Sequence, residues 1–188
     1  MEIIRKSASL TDAPQKISRV GLTILLLTTS ALAQNRSAAR TAAATYAQNS
    51  SDLSGKWTYR SFTNTADLMD GDAQRALNLI FGQGVFTFML SRDMLTGTLD
   101  MGGGYILDLK GTVQPPRQDA PLTAEISGFG RTNTPTAGWE YDYSGYLAYH
   151  WPNGVNQAAA LVGTVIRAKA HDGGAAGLVA SFIAVKQP

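Results

Sequence analysis

The sequence predicts an all-β domain, a closed or nearly closed antiparallel meander barrel of about eight strands. From Leu53 onward, short alternating or apolar runs are separated by clusters of Gly, Pro, Asn and Asp, which is typical of strands and turns. No segment in that region has the periodicity of a long helix. Three runs carry a Gly-Thr-aliphatic triplet, beginning at Gly97, Gly111 and Gly163. Glycine inside a strand favours the bending that a sheet needs when it closes on itself.

Alternation of side chains between two faces predicts the first strand, and apolar runs predict the strands that follow it. Ser54–Thr63 places Trp57, Tyr59 and Ser61 on one face; the other face carries Lys56, Thr58, Arg60 and Phe62. After a polar connection, Ala76–Phe81 and Gly84–Leu90 are separated by a Gly-Gln-Gly segment. That segment predicts either a tight hairpin or a bulge in one bent strand, so the count stays at eight or nine.

The clearest predicted hairpin joins Met94–Met101 to Tyr105–Val113 through three glycines. Its alternation is what a sheet with one face in water requires. The remaining predicted strands are a run around Leu122–Ser127, an aromatic strand from Trp139 to Trp151, Gln157–Ala170 and Leu178–Lys186.

The aromatic strand holds six of the chain's ten Trp and Tyr residues. At period two, one face carries the candidate ligand-binding residues Trp139, Tyr141, Tyr143, Tyr149 and Trp151. A barrel of about eight strands has room either for core side chains or for one small ligand. These rings therefore form either the wall of a pocket or a solid core, and their hydroxyl groups suit a pocket.

The opposite face of this strand carries the candidate catalytic residues Glu140, Asp142 and His150. Two carboxylates two residues apart on a strand lie about 7 Å from each other, a separation that acid and base pairs use in glycoside hydrolysis. The alternative is that these side chains point to water because the rings point inward. A bulge at Gly145 would change the phase and bring His150 to the ring side.

No metal or cofactor is predicted. Asp67, Asp70 and Asp72 gather in one loop and would suit a hard cation such as calcium, but their spacing fits no helix–loop–helix site, and a solvated loop is the alternative. The two histidines, His150 and His171, stand apart and there is no cysteine, which disfavours zinc.

The chain before the barrel predicts export. Four basic residues precede an apolar run, Val20–Leu27, and the small-x-small site Ala31-Leu32-Ala33 predicts cleavage after Ala33. The run is shorter than the roughly 20 residues that span a bilayer. We therefore expect a signal peptide at 1–33, a flexible linker at 34–52, the barrel domain at 53–188, and a secreted or periplasmic protein.

Charge and cysteine content exclude several classes of function. Residues 1–33 contain four of the 16 basic and two of the 14 acidic side chains, which leaves 12 of each. A neutral exported form gives no support to a nucleic-acid partner, which would need a basic patch. Without cysteine there is no disulfide and no thiol nucleophile, so burial and hydrogen bonding must stabilise the domain.

Two short segments resemble a known group of barrels. Gly55-Lys56-Trp57 resembles the Gly-x-Trp of the calycins, which include lipocalins and avidins, and Leu95-Thr96-Gly97-Thr98 is similar to an early avidin strand. In lipocalins this Trp packs at the closed end of the barrel under an Arg from a late strand. The resemblance therefore implies structural roles for Trp57 and Arg167 and a barrel that holds a small molecule.

These observations favour an exported barrel that binds a small apolar or aromatic molecule. One alternative is a barrel enzyme, either an isomerase or cyclase that uses the same cavity or a hydrolase that uses Glu140, Asp142 and His150. Another is an interaction module with a filled core that presents its loops to a partner. A filled barrel favours the interaction module, an open barrel with outward carboxylates favours ligand binding, and an open barrel with buried carboxylates favours an enzyme.

Overall fold

The computed structural model describes residues 53–117, 119–149, 151 and 153–188. The predicted signal peptide, the predicted linker and the catalytic candidate His150 lie outside these residues.

The described chain folds into a closed barrel of eight antiparallel strands, which confirms the predicted fold class and is compatible with a calycin-like fold. Each strand pairs with its neighbour in sequence, and the last strand pairs with the first. The strands are β1 (Gly55–Thr63), β2 (Ile80–Ser91), β3 (Met94–Asp100), β4 (Ile106–Gln114), β5 (Thr123–Gly130), β6 (Glu140–Leu147), β7 (Ala160–Arg167) and β8 (Val179–Lys186).

One short helix, α1 (Ala73–Leu77), precedes β2 in the described chain. Asp72 is its N-cap, and its carboxylate accepts hydrogen bonds from the backbone N–H groups of Gln74 and Arg75. No helix of the described residues is long and apolar enough to cross a membrane.

The two runs on either side of the Gly-Gln-Gly segment form one strand, β2, so the strand count is eight. Gly82 and Gly84 pair with Ser61 and Tyr59 of β1 instead of forming a turn. A Cβ atom on Gly84 would collide with the carbonyl oxygen of Asp100 on β3. Glycine here permits close approach of two backbones within a bent strand.

The glycines of the three triplets lie where the backbones of neighbouring strands approach closely. A Cβ atom at each position would overlap a carbonyl oxygen of the adjacent strand. The pairs are Gly97 with Thr87, Gly111 with Glu125 and Gly163 with Ser144. The triplets therefore mark the close strand contacts of the closed sheet.

Trp57 closes one end of the barrel. It is fully buried, its ring centroid lies 6.4 Å from that of Phe88, and its Nε1 donates a hydrogen bond of 2.9 Å to the carbonyl oxygen of Leu53. The amino group of Lys186 lies 5.7 Å from the centre of the Trp57 ring. We call this end of the barrel the closed end.

Arg167 does not cover Trp57, contrary to the role that the calycin resemblance implied. In an antiparallel meander β7 starts at the closed end, so Arg167, its last residue, lies at the opposite end. β8 returns to the closed end and brings Lys186 into register with Trp57. The direction of the last two strands therefore decides which cation contacts the Trp57 ring.

Interlocked aromatic rings fill the middle of the barrel. The Tyr59 ring centroid lies 4.6 Å from that of Phe86 and 5.8 Å from that of Phe182. Tyr143 packs edge-on against Phe86 at 5.6 Å. These rings form a floor that separates the closed end from the other half of the barrel.

Candidate functional site

A cavity of about 370 Å³ lies above this floor and opens at the end opposite Trp57, which we call the mouth. Its walls combine ring side chains from several strands with polar groups at the rim. The rings are those of Tyr59, Phe81, Tyr105, Trp139, Tyr141 and Tyr143.

Two tyrosine hydroxyls lie at the base of the cavity. Tyr59 and Tyr143 are both buried, and burial raises the pKa of each phenol well above its ordinary value. Both hydroxyls therefore stay neutral at physiological pH and can donate as well as accept hydrogen bonds. They give an otherwise aromatic floor a limited capacity to orient a polar atom of a ligand.

Four side chains form a connected group at the rim, which we call the mouth cluster: Trp139, Tyr141, Arg167 and His171. The His171 ring stacks on Trp139 with centroids 4.0 Å apart and 18° between the planes. His171 Nε2 lies 2.7 Å from the Tyr141 hydroxyl, and Arg167 Nε donates to the same hydroxyl over 3.5 Å. Tyr141 thus connects the cavity wall to both basic side chains.

His171 is positioned by a two-residue hairpin. The backbones of His171 and Gly174 exchange hydrogen bonds of 3.2 and 2.8 Å. Between them, Asp172 and Gly173 have φ angles of 47° and 75°, the two positive values that a type I′ turn requires. The Asp-Gly pair therefore fixes the loop and holds His171 against the cavity.

The surroundings of His171 favour its neutral form. Burial and the nearby positive charge of Arg167 lower its pKa, although the carboxylate of Asp172 acts in the opposite direction. Its Nδ1 atom is buried without a hydrogen-bond partner among the described residues, and the closest carboxylate oxygen of Asp172 is 3.5 Å away. A neutral imidazole can donate or accept on the bond to Tyr141.

Scans of this chain against protein-family models, curated proteins and solved structures give no significant match.

Of the five predicted ligand-binding residues, Trp139, Tyr141 and Tyr143 meet at the cavity. Tyr149 and Trp151 do not line it. β6 ends at Leu147, and both residues follow it at the closed end. Their rings are exposed there, with centroids 5.1 Å apart. Their alternation with Tyr143 in the sequence does not continue as a strand.

The predicted carboxylates lie outside the barrel. Glu140 and Asp142 occupy outward positions of β6, and Asp142 accepts a hydrogen bond of 2.6 Å from Ser127 on the outer surface. The register of β6 is continuous at Gly145, which pairs with Ala124 and Gly163, so no bulge changes the phase there. The geometry does not bring these carboxylates to the cavity.

The sequence reasoning missed Phe81, Tyr105 and His171 as cavity residues. Phe81 is the second residue of β2 and Tyr105 directly precedes β4, so both lie at the rim because these strands begin there. For His171 a signal existed. The Asp-Gly pair that follows it is typical of a tight type I′ turn, which would present the preceding side chain in a fixed orientation.

No group of three His, Cys, Asp or Glu side chains in the described part of the chain is arranged to hold a metal ion. In the acidic loop, Asp72 caps α1 and Asp67 contacts the Thr65 hydroxyl at 3.1 Å. These carboxylates therefore stabilise local backbone structure.

Proposed function

We propose that this protein is an exported β-barrel that binds a small apolar or aromatic molecule in the cavity at its mouth. The observation that carries the proposal is the division of the interior: Trp57 and the aromatic floor fill one half, and a cavity of about 370 Å³ occupies the other. That volume is near the lower end of the roughly 300–1,000 Å³ typical of ligand pockets.

The lining supports a ligand with an aromatic body. Trp139 and Tyr141 present rings at the rim, with centroids 6.3 Å apart and 65° between the planes, and Tyr143 closes the base. Aromatic pairs favour tilted or offset contacts, so a flat ligand placed among these rings gains such contacts on several sides. The hollow half also favours binding over the alternative of an interaction module with a filled core.

The test is a calorimetric screen of small aromatic and apolar compounds, followed by two matched variants. We expect Trp139→Ala to weaken binding of any hit about tenfold or more, because it removes a large ring from the rim. Trp151→Ala is the control, since that exposed ring lies at the closed end and lines neither the mouth cavity nor the second cavity beside Tyr149. Absence of any binding compound, or equal weakening by both variants, would contradict the proposal.

A second candidate function, an isomerase or cyclase, is favoured by one observation. The Tyr141 hydroxyl and His171 Nε2 lie 2.7 Å apart beside the cavity, which supplies an acid and base pair for proton transfer. Binding compounds from the screen would be incubated with the protein and analysed for products by mass spectrometry and NMR. An enzyme would form a product that Tyr141→Phe no longer forms while binding persists.

A further inference from the structure

Arg167 is held firmly at the rim of the cavity. It is the last residue of β7 and pairs in register with Tyr141 of β6. Its backbone N–H donates to Leu178 over 3.0 Å, and its carbonyl oxygen accepts from Gly177 over 2.8 Å. The direction in which its side chain leaves the barrel wall is therefore set by the strand ladder.

The guanidinium of Arg167 has no carboxylate partner among the described residues. It packs over the Phe81 ring with Cζ 5.6 Å from the ring centre. Its two hydrogen bonds, to the Tyr141 hydroxyl at 3.5 Å and to the carbonyl oxygen of Ala175 at 3.4 Å, are both long. An arginine has five N–H donors, and the hydrogen bonds to described residues use two of them.

Arg131 shows the opposite arrangement on the outer surface. Its Nε and Nη2 atoms both donate to the carboxylate of Asp108, over 3.3 and 2.5 Å. This is the two-point geometry that a guanidinium forms with a carboxylate. The Arg167 guanidinium at the mouth can form the same two-point contact, but no carboxylate of the described residues forms it.

The loop beside Arg167 leaves space for its guanidinium. A Cβ atom at Gly174 would overlap Arg167 Nη1 and Cζ. Gly174 closes the hairpin that carries His171, so the same turn positions the imidazole and makes room for the cation. The guanidinium therefore packs directly against the backbone of this turn.

The charges around the cavity leave Arg167 as the dominant cation. His171 is held neutral, partly by Arg167 itself. The acidic side chain in the lining, Asp172, is about 70% exposed, and its carboxylate lies 3.5 Å from His171 Nδ1. A negatively charged group arriving at the rim would therefore meet a guanidinium that no other carboxylate occupies.

We propose that the ligand is a small aromatic carboxylate, with its ring in the cavity and its carboxylate on Arg167. This inference rests on the proposed function, because it specifies the ligand of the same cavity. The planar guanidinium matches a carboxylate with two parallel hydrogen bonds, and partial desolvation at the rim strengthens them. Tyr141, already bonded to both basic side chains, lies beside the same position.

Two probes of nearly equal shape test it, 2-naphthoate and its neutral amide 2-naphthamide, measured by calorimetry at neutral pH. We expect the wild-type protein to bind the carboxylate about tenfold or more tightly than the amide, the effect of one good charge-assisted interaction. Arg167→Gln should remove this preference. Arg60→Gln, which removes an equal charge from the outer face of β1, should keep it.

A second variant guards against a folding defect in Arg167→Gln. Gly174→Ala keeps the positive charge but displaces the guanidinium, and we expect it to reduce the preference for naphthoate while circular dichroism stays unchanged. Equal affinity of the wild-type protein for both probes, or a full preference in both rim variants, would overturn the inference and leave the binding barrel intact. No binding of either probe would overturn the inference and contradict the proposed function as well.

Discussion

The two tryptophans at opposite ends of the barrel show how position determines the role of a residue. Trp57, on β1, is fully buried, and its Nε1 donates a hydrogen bond to the Leu53 carbonyl oxygen. Trp139 is half-buried at the rim, and the His171 ring stacks on it. The first contributes packing to the buried core at the closed end. The second offers a ring surface that a ligand can share, so loss of the two rings should affect different properties.

Trp57→Ala should lower the free energy of unfolding by about 3–5 kcal/mol, because it leaves a large space in a packed region. Trp151→Ala is the matched control and should change stability by no more than about 0.5 kcal/mol, since that ring is exposed. Urea denaturation followed by far-ultraviolet circular dichroism measures both. Equal midpoints for Trp57→Ala and the wild-type protein would show that the ring does not stabilise the closed end.

The strand β6 shows what periodicity can and cannot predict. Inward burial of Tyr141 and Tyr143 follows from alternation alone. The position at which β6 ends does not follow from alternation, because a strand extends only as far as neighbouring strands pair with it. β7 begins at Ala160, opposite Val185 of β8, and β6 therefore stops at Leu147, before Tyr149. Partner length is not encoded in the pattern of one strand.

The mouth cluster could not be predicted from the sequence, for a related reason. It combines Tyr141 of β6, the end of β7 and a turn that follows it, and the cavity wall adds Phe81 from the start of β2. Their proximity depends on barrel closure and on the direction of each strand. The sequence contained the residue types and the Asp-Gly turn, but not the end of the barrel at which they meet.

Close strand contact at the triplet glycines gives a prediction for the sheet. Gly163→Ala should lower the free energy of unfolding by about 1–3 kcal/mol or more, because the added methyl group overlaps the Ser144 carbonyl oxygen of β6. Thr164→Ala, at the adjacent exposed position, should cost less than about 1 kcal/mol. Thermal unfolding of the two variants compares them. A Gly163→Ala protein as stable as wild type would mean that β6 and β7 separate without cost.

For the whole barrel, closure and the aromatic floor supply stability, and the cavity lies apart from Trp57 at the mouth. Closure by β1 and β8 pairs every strand on both sides, and burial of the aromatic floor proceeds without any disulfide, since the chain has no cysteine. The cavity shares Tyr59 and Tyr143 with this buried core, whereas Trp139, Arg167 and His171 at the rim are only partly buried. We therefore expect substitutions at the rim to cost less stability than substitutions in the floor.

Export is the remaining prediction for the whole chain. We expect residues 1–33 to be missing from protein recovered outside the cytoplasm, because a basic segment, a short apolar run and Ala31-Leu32-Ala33 follow one another. Intact-mass spectrometry of the recovered protein measures this directly. A mass that includes Met1 to Ala33 would contradict the predicted cleavage and, with it, the secreted or periplasmic location.

The even number of strands determines which end of the barrel a fused protein or a solid support would face. An antiparallel meander of eight strands begins and ends at the same side, and Gln187 N–H bonds to the Lys56 carbonyl oxygen over 2.8 Å beside Trp57. A carrier protein or a solid support joined after Pro188 is therefore held at the side away from the cavity. Protein immobilised through its C-terminus presents its mouth to the solution, which suits sensors and affinity supports.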